Sequence, residues 1–360
     1  MRILLVCERL AGKADEGIKN LALSLLGELS RAHSVLALTE GQDSDKVPGV
    51  QYVPMNRYFL NRSLLCLGRA FQPQVVLYVP WTSGTPRTLL RGRILRLATS
   101  APTALFLTQP YPAPLWDRYL TRLLLPDLAL VQSESERLRF AGMGGRVMFM
   151  PSGVDTGRFR PLSLQRRQHE RDRMGVRPDE KLIMHVGHLN RRRLDSSQIA
   201  ELARDSKRRF VIIGSTDTPQ DADLVDELRG AGVTVIRDFV PRLEETLGAA
   251  DIYWFPVNDP RSSIGVPLSV LEALACGVPV VCTPFEGLPY LFRDSPCVRF
   301  FSSTLEADRA FREAPAAPNA DARALTSSMD WSTVAGRVGE ALFTMGGAMA
   351  STLRAGSQGP

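Results

Sequence analysis

Ser263-Ile264-Gly265-Val266-Pro267-Leu268-Ser269-Val270-Leu271-Glu272-Ala273-Leu274-Ala275-Cys276-Gly277-Val278-Pro279-Val280-Val281 reads as a loop, a helix, a stop and a strand. Small residues make the loop, and Pro267 stands where a helix starts, because the first turn has no use for its missing N–H. Gly277 ends the helix, since glycine tolerates the left-handed conformation of a C-terminal cap. The valines that follow favour an extended strand. Free amides at such a helix start can hold a phosphate or a sugar hydroxyl. Glu272 falls one to two turns inside, placed to accept two hydrogen bonds from a ribose diol. On its own, the stretch is equally an ordinary helix–strand unit with one solvated glutamate.

The same alternation extends in both directions. Upstream in the second half, short apolar runs at 181–186, 209–213, 233–237 and 251–255 predict strands, with helices near 195–205, 220–229, 243–249 and 267–275. A last strand falls at 298–300. The first half repeats the pattern, with strands at 2–7, 34–39, 74–79, 103–108, 128–132 and 146–150. Its helices include 17–30, 87–98, 114–124 and 133–140. Strands alternating with helix-length segments predict parallel sheets, so the expected class is α/β with two doubly wound, Rossmann-like domains. The turn-rich Pro151-Ser152-Gly153-Val154-Asp155 and the arginine-dense segment after it mark the junction, near Pro151–Pro161.

Two further loops follow strands, where open α/β sheets bind ligands. In Leu182-Ile183-Met184-His185-Val186-Gly187-His188-Leu189-Asn190-Arg191-Arg192-Arg193 a strand runs into a glycine and then a basic cluster. Guanidinium groups match phosphate oxygens in pairs, so a diphosphate is a suitable ligand, and His188 adds a donor when protonated. A basic surface loop is the plainer reading of the same residues. The Cys7–Gly17 loop carries Gly12 and Gly17 for close backbone approach but lacks G-x-G-x-x-G, which speaks against a dinucleotide-dependent oxidoreductase.

Composition narrows the classes further. Apolar residues make up 44% and charged residues 23% of the 360, close to globular averages. Five scattered cysteines without C-x-x-C argue against a disulfide framework and a zinc site. With four histidines and no H-E-x-x-H, no metal or other cofactor is expected. Neither a P-loop, a nucleophile elbow nor a Ser/His/Asp set is present. The N-terminal run is too short for a signal-peptide core and reads as a buried first strand; with no disulfide framework, a reducing cytoplasm is the expected compartment. Net charge is +6, and from Asp45 to Asp117 there is no acid, while Lys46, Arg57, Arg62, Arg69, Arg87, Arg91, Arg93 and Arg96 all lie between them. That block predicts an anionic partner, and peripheral attachment to an anionic membrane face is one form of it. Nucleic acid is not expected, because no recognition motif accompanies the charge.

Taken in order, these pieces resemble the retaining GT-B glycosyltransferases of family four, also called glycosyl transferases group 1. Met150 to Pro161 is similar to the interdomain N-G-V-D-x-x-x-F-x-P signature, with Ser152 in place of Asn. Val186-Gly187-His188 through Arg193 resembles the V-G-R…K stretch, with His188 at the arginine and Arg193 at the lysine. Ala249–Pro256 resembles the strand before the donor loop, and Leu271–Val281 matches L-E-A-x-A-C-G-x-P-V-V almost residue for residue. Trp331 fits the tryptophan of the closing helix.

The resemblance implies two domains facing across a cleft: an acceptor-side domain at 1–157 and a nucleotide-sugar domain at 158–327. A helix at 328–345 then packs back on the first domain, and 346–360 forms a disordered tail. Arg193, His188 and Glu272 become the expected catalytic set, the first two on the departing diphosphate and Glu272 on the ribose. Gly187, Arg192, Gly265, Val266, Pro267 and Leu268 are expected to bind the donor, and Phe239 to meet its base; Gly17 and Gln109 fall on the acceptor or sugar side. The implied reaction moves a hexose-type sugar, with retention, from a nucleoside diphosphate to a hydroxyl of a glycan, a lipid-linked sugar or a small molecule. Two positions depart from the pattern: Ile264 replaces the first acid of E-x7-E, and Gln109 replaces a histidine. They keep open a non-catalytic scaffold or regulatory subunit on the same fold; a nucleotide-sugar epimerase is a third reading.

Overall fold

The structure, a computed structural model, describes the chain except for residues 12–15, 42–46, 113–116, 217–218 and 357–360, with the backbone alone at 118 and 348–356. The chain divides into two compact units, 1–152 with 331–360, and 153–330. The division lies a few residues from the boundaries expected at 157 and 327.

The first unit holds strands β1 (Arg2–Val6), β2 (Ser34–Thr39), β3 (Val50–Tyr52), β4 (Val75–Tyr78), β5 (Thr103–Leu107), β6 (Leu128–Val131) and β7 (Val147–Phe149). They pair in parallel in the order β3-β2-β1-β4-β5-β6-β7. Its helices are α1 (Gly17–Ala32), α2 (Arg62–Ala70), α3 (Pro86–Thr99), α4 (Asp117–Leu123) and α5 (Glu134–Gly142). The central strands are buried on both faces, which is why Ile3-Leu4-Leu5-Val6 and Val75-Val76-Leu77-Tyr78 are unbroken apolar runs. β3 and α2 were not expected from the sequence. β3 is an edge strand of three residues, too short for a period-two pattern to register.

The second unit holds helices α6 (Leu164–Arg173), α7 (Ser196–Leu202), α8 (Ala222–Gly230), α9 (Leu243–Gly248), α10 (Leu268–Ala275), α11 (Leu288–Phe292), α12 (Thr304–Glu313) and α13 (Ala320–Ala324). Its strands are β8 (Lys181–Gly187), β9 (Arg208–Gly214), β10 (Thr234–Ile236), β11 (Ile252–Phe255), β12 (Val280–Cys282) and β13 (Val298–Phe300), in the parallel order β10-β9-β8-β11-β12-β13. The order in which the chain visits these parallel strands reverses between β8 and β11, the switch point at which open sheets leave a crevice. Two of the arginines of α6 reach the edge of the core, while Arg166 and Arg173 stay exposed. Arg167 and Arg171 both reach Asp251, at 2.5 and 2.7 Å, and the same carboxylate accepts from Leu182 N at 2.7 Å. A buried charge is tolerable in such company because its partners satisfy it.

The signature around residue 155 is structural in effect. Asp155 Oδ1 accepts from the amides of Gly157 and Arg158, which turns the chain and buries Phe159. Val154 bridges to Asp330, and Thr156 donates its hydroxyl to Asp330 Oδ2 at 2.6 Å. The two chain segments at the boundary of this unit therefore run side by side.

Helix α14 (Trp331–Gly356) returns to the first unit, where it lies against α1 and β4. Val334, Val338, Ala341, Leu342 and Met345 form its buried stripe at helical spacing. Its length corrects the expectation of a disordered tail from 346: the helix continues to Gly356, and only 357–360 lie outside the described residues. A Cβ at Gly346 would stand 3.3 Å from Val75 Cγ1, so the missing side chain allows close packing on the sheet. The residues beyond include alanines, a leucine and an arginine, all good helix formers, and propagation is cheap once a helix is nucleated.

Candidate functional site

The carboxyl end of the second sheet brings several of the expected residues together. Gly187 is the last residue of β8, and the chain then turns through His188–Arg192 to Arg193. Arg193 is 7% exposed and folds back over the strand end. A Cβ placed on Gly187 would lie 2.7 Å from Arg193 Nη2 and 2.9 Å from its Cζ. Glycine is therefore required here by the guanidinium that occupies the space. Arg193 Nη1 donates to the carbonyl of Ser262 at 3.1 Å, and its guanidinium stands 5.9 Å from the centre of the Phe255 ring. Ser262 lies in the loop after β11, so one buried cation ties together the two loops that flank the switch point.

The same loop leads into α10. Pro267 is the residue before the helix rather than inside its first turn, with φ −63° and ψ 131°. Intrahelical bonding begins at Val270 N, which donates to Pro267 O. Gly265, Val266 and Pro267 are buried and Leu268 half-buried. Gly287 N donates to Gly265 O at 3.1 Å and so steadies the loop. Tyr253 links the two halves of the site: its hydroxyl donates to Val186 O at 3.2 Å and also engages Ser269 on α10. Burial pushes its phenol up to about 12, so it stays protonated.

Glu272 is half-buried on α10. Desolvation lifts its carboxyl to about 7, opposed by the Arg158 guanidinium and reinforced by Glu244. Arg158 is itself held by Glu244 at 2.9 Å. Gly277 closes the helix with φ +76°, and a Cβ there would meet the backbone N and O of Asn319 at 3.1 Å. Ile264 is buried, at 4% exposure, so an aliphatic side chain stands where the related motif has an acid.

Other expected residues are more exposed or lie elsewhere. His188 is half-buried beside Gly187, and Arg192 is exposed. Phe239 is 47% exposed, in the loop that follows β10. A cavity of about 720 Å³ runs along β10, lined by Thr216, Gln220, Arg229, Arg237 and Asp238 among others. None of the expected site residues lines it. Gln220 shapes one wall: it donates to Ser215 O and Arg237 O and accepts from Arg237 Nε at 2.7 Å. The polar run after Gly214 was the available signal for it. Among the described residues no group of three or more His, Cys, Asp or Glu side chains is arranged to hold a metal.

In the first unit Gly17 opens α1, and the carboxylate of Glu16 caps that helix by accepting from Lys19 N. Gly12 lies outside the described residues. Gln109 is half-buried just after β5, the fifth strand in this unit because β3 intervenes. The switch point of this sheet, between β1 and β4, holds a cluster that sequence reasoning missed. Glu8 accepts from Tyr78 Oη at 2.7 Å, Trp81 N at 2.9 Å and Arg91 Nη1 at 2.6 Å. Arg91 is thus neutralised internally, as is Arg96 by Asp127 at 2.9 Å. Two of the residues in the acid-free basic stretch are consequently unavailable to an anionic partner.

The class defined by this fold is GT-B. A crystal structure of Anabaena Alr3699/HepE in complex with UDP and glucose aligns with a TM-score of 0.72 at 16% identity, over 96% of this chain and 100% of that one. WaaG, a glycosyltransferase involved in lipopolysaccharide biosynthesis, aligns with a TM-score of 0.67 at 16% identity, over 94% and 99%. More particularly, residues 180–313 match the family model described as Glycosyl transferases group 1, so the second unit carries a domain of that family. D-inositol 3-phosphate glycosyltransferase of Actinosynnema mirum is 32% identical over 173 residues, 43% of this chain and 39% of the relative. Alpha-maltose-1-phosphate synthase of Mycobacterium tuberculosis is 29% identical over 155 residues, 40% and 38% respectively. The matched part thus spans about two fifths of these curated relatives.

Proposed function

We propose that the chain transfers a hexose-type sugar from a nucleoside diphosphate to a hydroxyl acceptor with retention at the anomeric carbon. The supporting observation is the buried Arg193 guanidinium, seated over Gly187 and bonded to the Ser262 loop that enters α10. A fixed cation in a partly dry site stabilises the charge that develops on a leaving diphosphate, and costs no reorganisation when it does so. In this reading the Gly265–Leu268 loop holds the sugar or phosphate through the N–H groups of Gly265, Val266 and Leu268, Glu272 holds the ribose, and the loop of Phe239 the base. His188 and Arg192 add positive charge, while Gly17 and Gln109 serve the acceptor or sugar side. Ile264 leaves the sugar with one hydrogen-bond acceptor fewer than the family motif provides.

A thermal-shift panel of UDP-, GDP-, ADP- and dTDP-sugars tests the reading. A ligand present at a hundred times its Kd stabilises the fold by about 2.7 kcal/mol, so at least one donor is expected to raise the Tm by several degrees. Indifference to all of them would favour a non-catalytic scaffold. Isomerised sugar nucleotide formed without an acceptor would favour an epimerase.

The second part of the proposal is an anionic surface as partner. Arg57, Arg62, Arg69, Arg87 and Arg93 are exposed, and Tyr58, Leu60 and Leu67 expose apolar area among the first three. No helix among the described residues is long and apolar enough to cross a membrane. Interfacial attachment from a cytoplasmic face combines such basic and apolar groups. Co-sedimentation with vesicles is expected to rise with phosphatidylglycerol content and to fall in Arg62→Glu/Arg69→Glu. Equal binding to pure phosphatidylcholine would refute it.

A further inference from the structure

We infer that His185 is a positioning residue for Arg193, its Nε2 lone pair fixing the guanidinium beside Gly187. The inference rests on the proposed role of Arg193 at the diphosphate and adds a group that the sequence motif does not mark. His185 sits on β8 and is 1% exposed. Its Nδ1 lies 2.9 Å from the carbonyl of Trp254 on β11, and a carbonyl can only accept, so Nδ1 carries the proton. The other nitrogen, Nε2, is then a bare acceptor. It is buried and has no hydrogen-bond partner among the described residues.

The geometry names its counterpart. Around the point where a Cβ of Gly187 would stand, the three nearest atoms are Nη2 and Cζ of Arg193, at 2.7 and 2.9 Å, and Nε2 of His185, at 3.2 Å. The absent side chain is what lets the imidazole and the guanidinium share that volume. Both also pack on one ring: Phe255 stands 6.3 Å from the His185 centroid and 5.9 Å from Arg193 Cζ. Burial and the Arg193 charge hold the imidazole down to about 3, so it remains an acceptor throughout the working range. A buried acceptor without a partner is costly, and a guanidinium N–H is the donor that this surrounding offers. A small turn of the guanidinium that brings Nη2 to Nε2, with Nη1 kept on Ser262 O, would satisfy this acceptor and limit how far Arg193 rotates toward an incoming phosphate.

The test compares affinities for UDP, GDP, ADP and dTDP, each beside its monophosphate, by calorimetry; the pair that binds the wild type most tightly is carried through the variants. A guanidinium directed at the second phosphate makes the diphosphate-to-monophosphate preference the informative quantity, since general damage to the fold weakens both ligands alike. Asn places an amide where Nδ1 was and loses the Nε2 position, whereas Gln reaches that position with an acceptor oxygen. His185→Ala and His185→Asn are expected to reduce the preference on the order of tenfold, His185→Gln to keep most of it, and His185→Asn to add nothing in an Arg193→Ala background. Should His185→Ala not fold, the Asn and Gln variants decide the matter. A full preference in His185→Asn, or the same loss with and without Arg193, overturns the inference alone. A preference unchanged in Arg193→Ala, or no nucleotide binding at all, removes the reading of Arg193 and this inference with it.

Discussion

Arg193→Ala lowers donor turnover by about 10²-fold or more, the magnitude seen when a fixed oxyanion donor is removed from an active site. The size of the effect follows from burial. At 7% exposure the guanidinium is screened by few waters, and its bond to Ser262 O restrains its orientation. Arg193→Lys keeps the charge but loses the planar fork that reaches Ser262 O and a phosphate together, so it should fall between wild type and alanine. Steady-state rates with the donor found in the thermal-shift panel, measured on variants with native circular dichroism, give the answer. Wild-type turnover in Arg193→Ala would defeat the assignment.

Donor affinity should fall as pH drops through about 7, because Glu272 titrates there. The sign follows from what each form can do. Ribose hydroxyls are donors in this contact, and only the carboxylate offers acceptors on both oxygens. Below the raised value Glu272 is neutral and must lose a proton for the donor to bind, so affinity weakens by up to about tenfold per pH unit. At pH 8 the carboxylate is formed, and Glu272→Gln, which replaces a charged acceptor by a neutral one, is expected to cost about 10- to 100-fold in Kd. The variant should also flatten the pH dependence. Stability moves the other way. The folded-state value lies above the ordinary 4.5, so the contribution of Glu272 is fully present below pH 4.5 and lost as pH rises through 7. Glu272→Gln should therefore raise the Tm of the free protein at pH 8 and leave it unchanged at pH 4. Calorimetric titrations from pH 5.5 to 8.5 check the first part; a slope that persists in Glu272→Gln rules out this residue as its source.

Both predictions use residues that were legible in the sequence, because each belongs to a local pattern. Glu272 stands within a helix bounded by Pro267 and Gly277, and Arg193 follows a strand that ends in Gly187. Local patterns of this kind are set by backbone preferences over a few residues, and they are readable without tertiary contacts. The strands of both sheets were legible for the same reason, except β3, whose three residues at the sheet edge carry no pattern. The continuation of α14 past Gly346 was not legible, because the small and polar residues there carry no apolar pattern and the close approach to Val75 is a tertiary contact.

Local residue patterns were enough to set out two α/β halves, the loop–helix–strand unit around Glu272 and the basic turn after Gly187. Tertiary structure alone decided which of these groups meet. The order β10-β9-β8-β11 makes neighbours of two strands that two others separate along the chain, and so brings Arg193 to a carbonyl at Ser262 and His185 to one at Trp254. It also decided that Arg91 would be spent on Glu8 rather than left for a partner. Pairings between residues so far apart in the chain depend on strand order and register, which come from burying whole sheets and leave no mark in a short window of sequence.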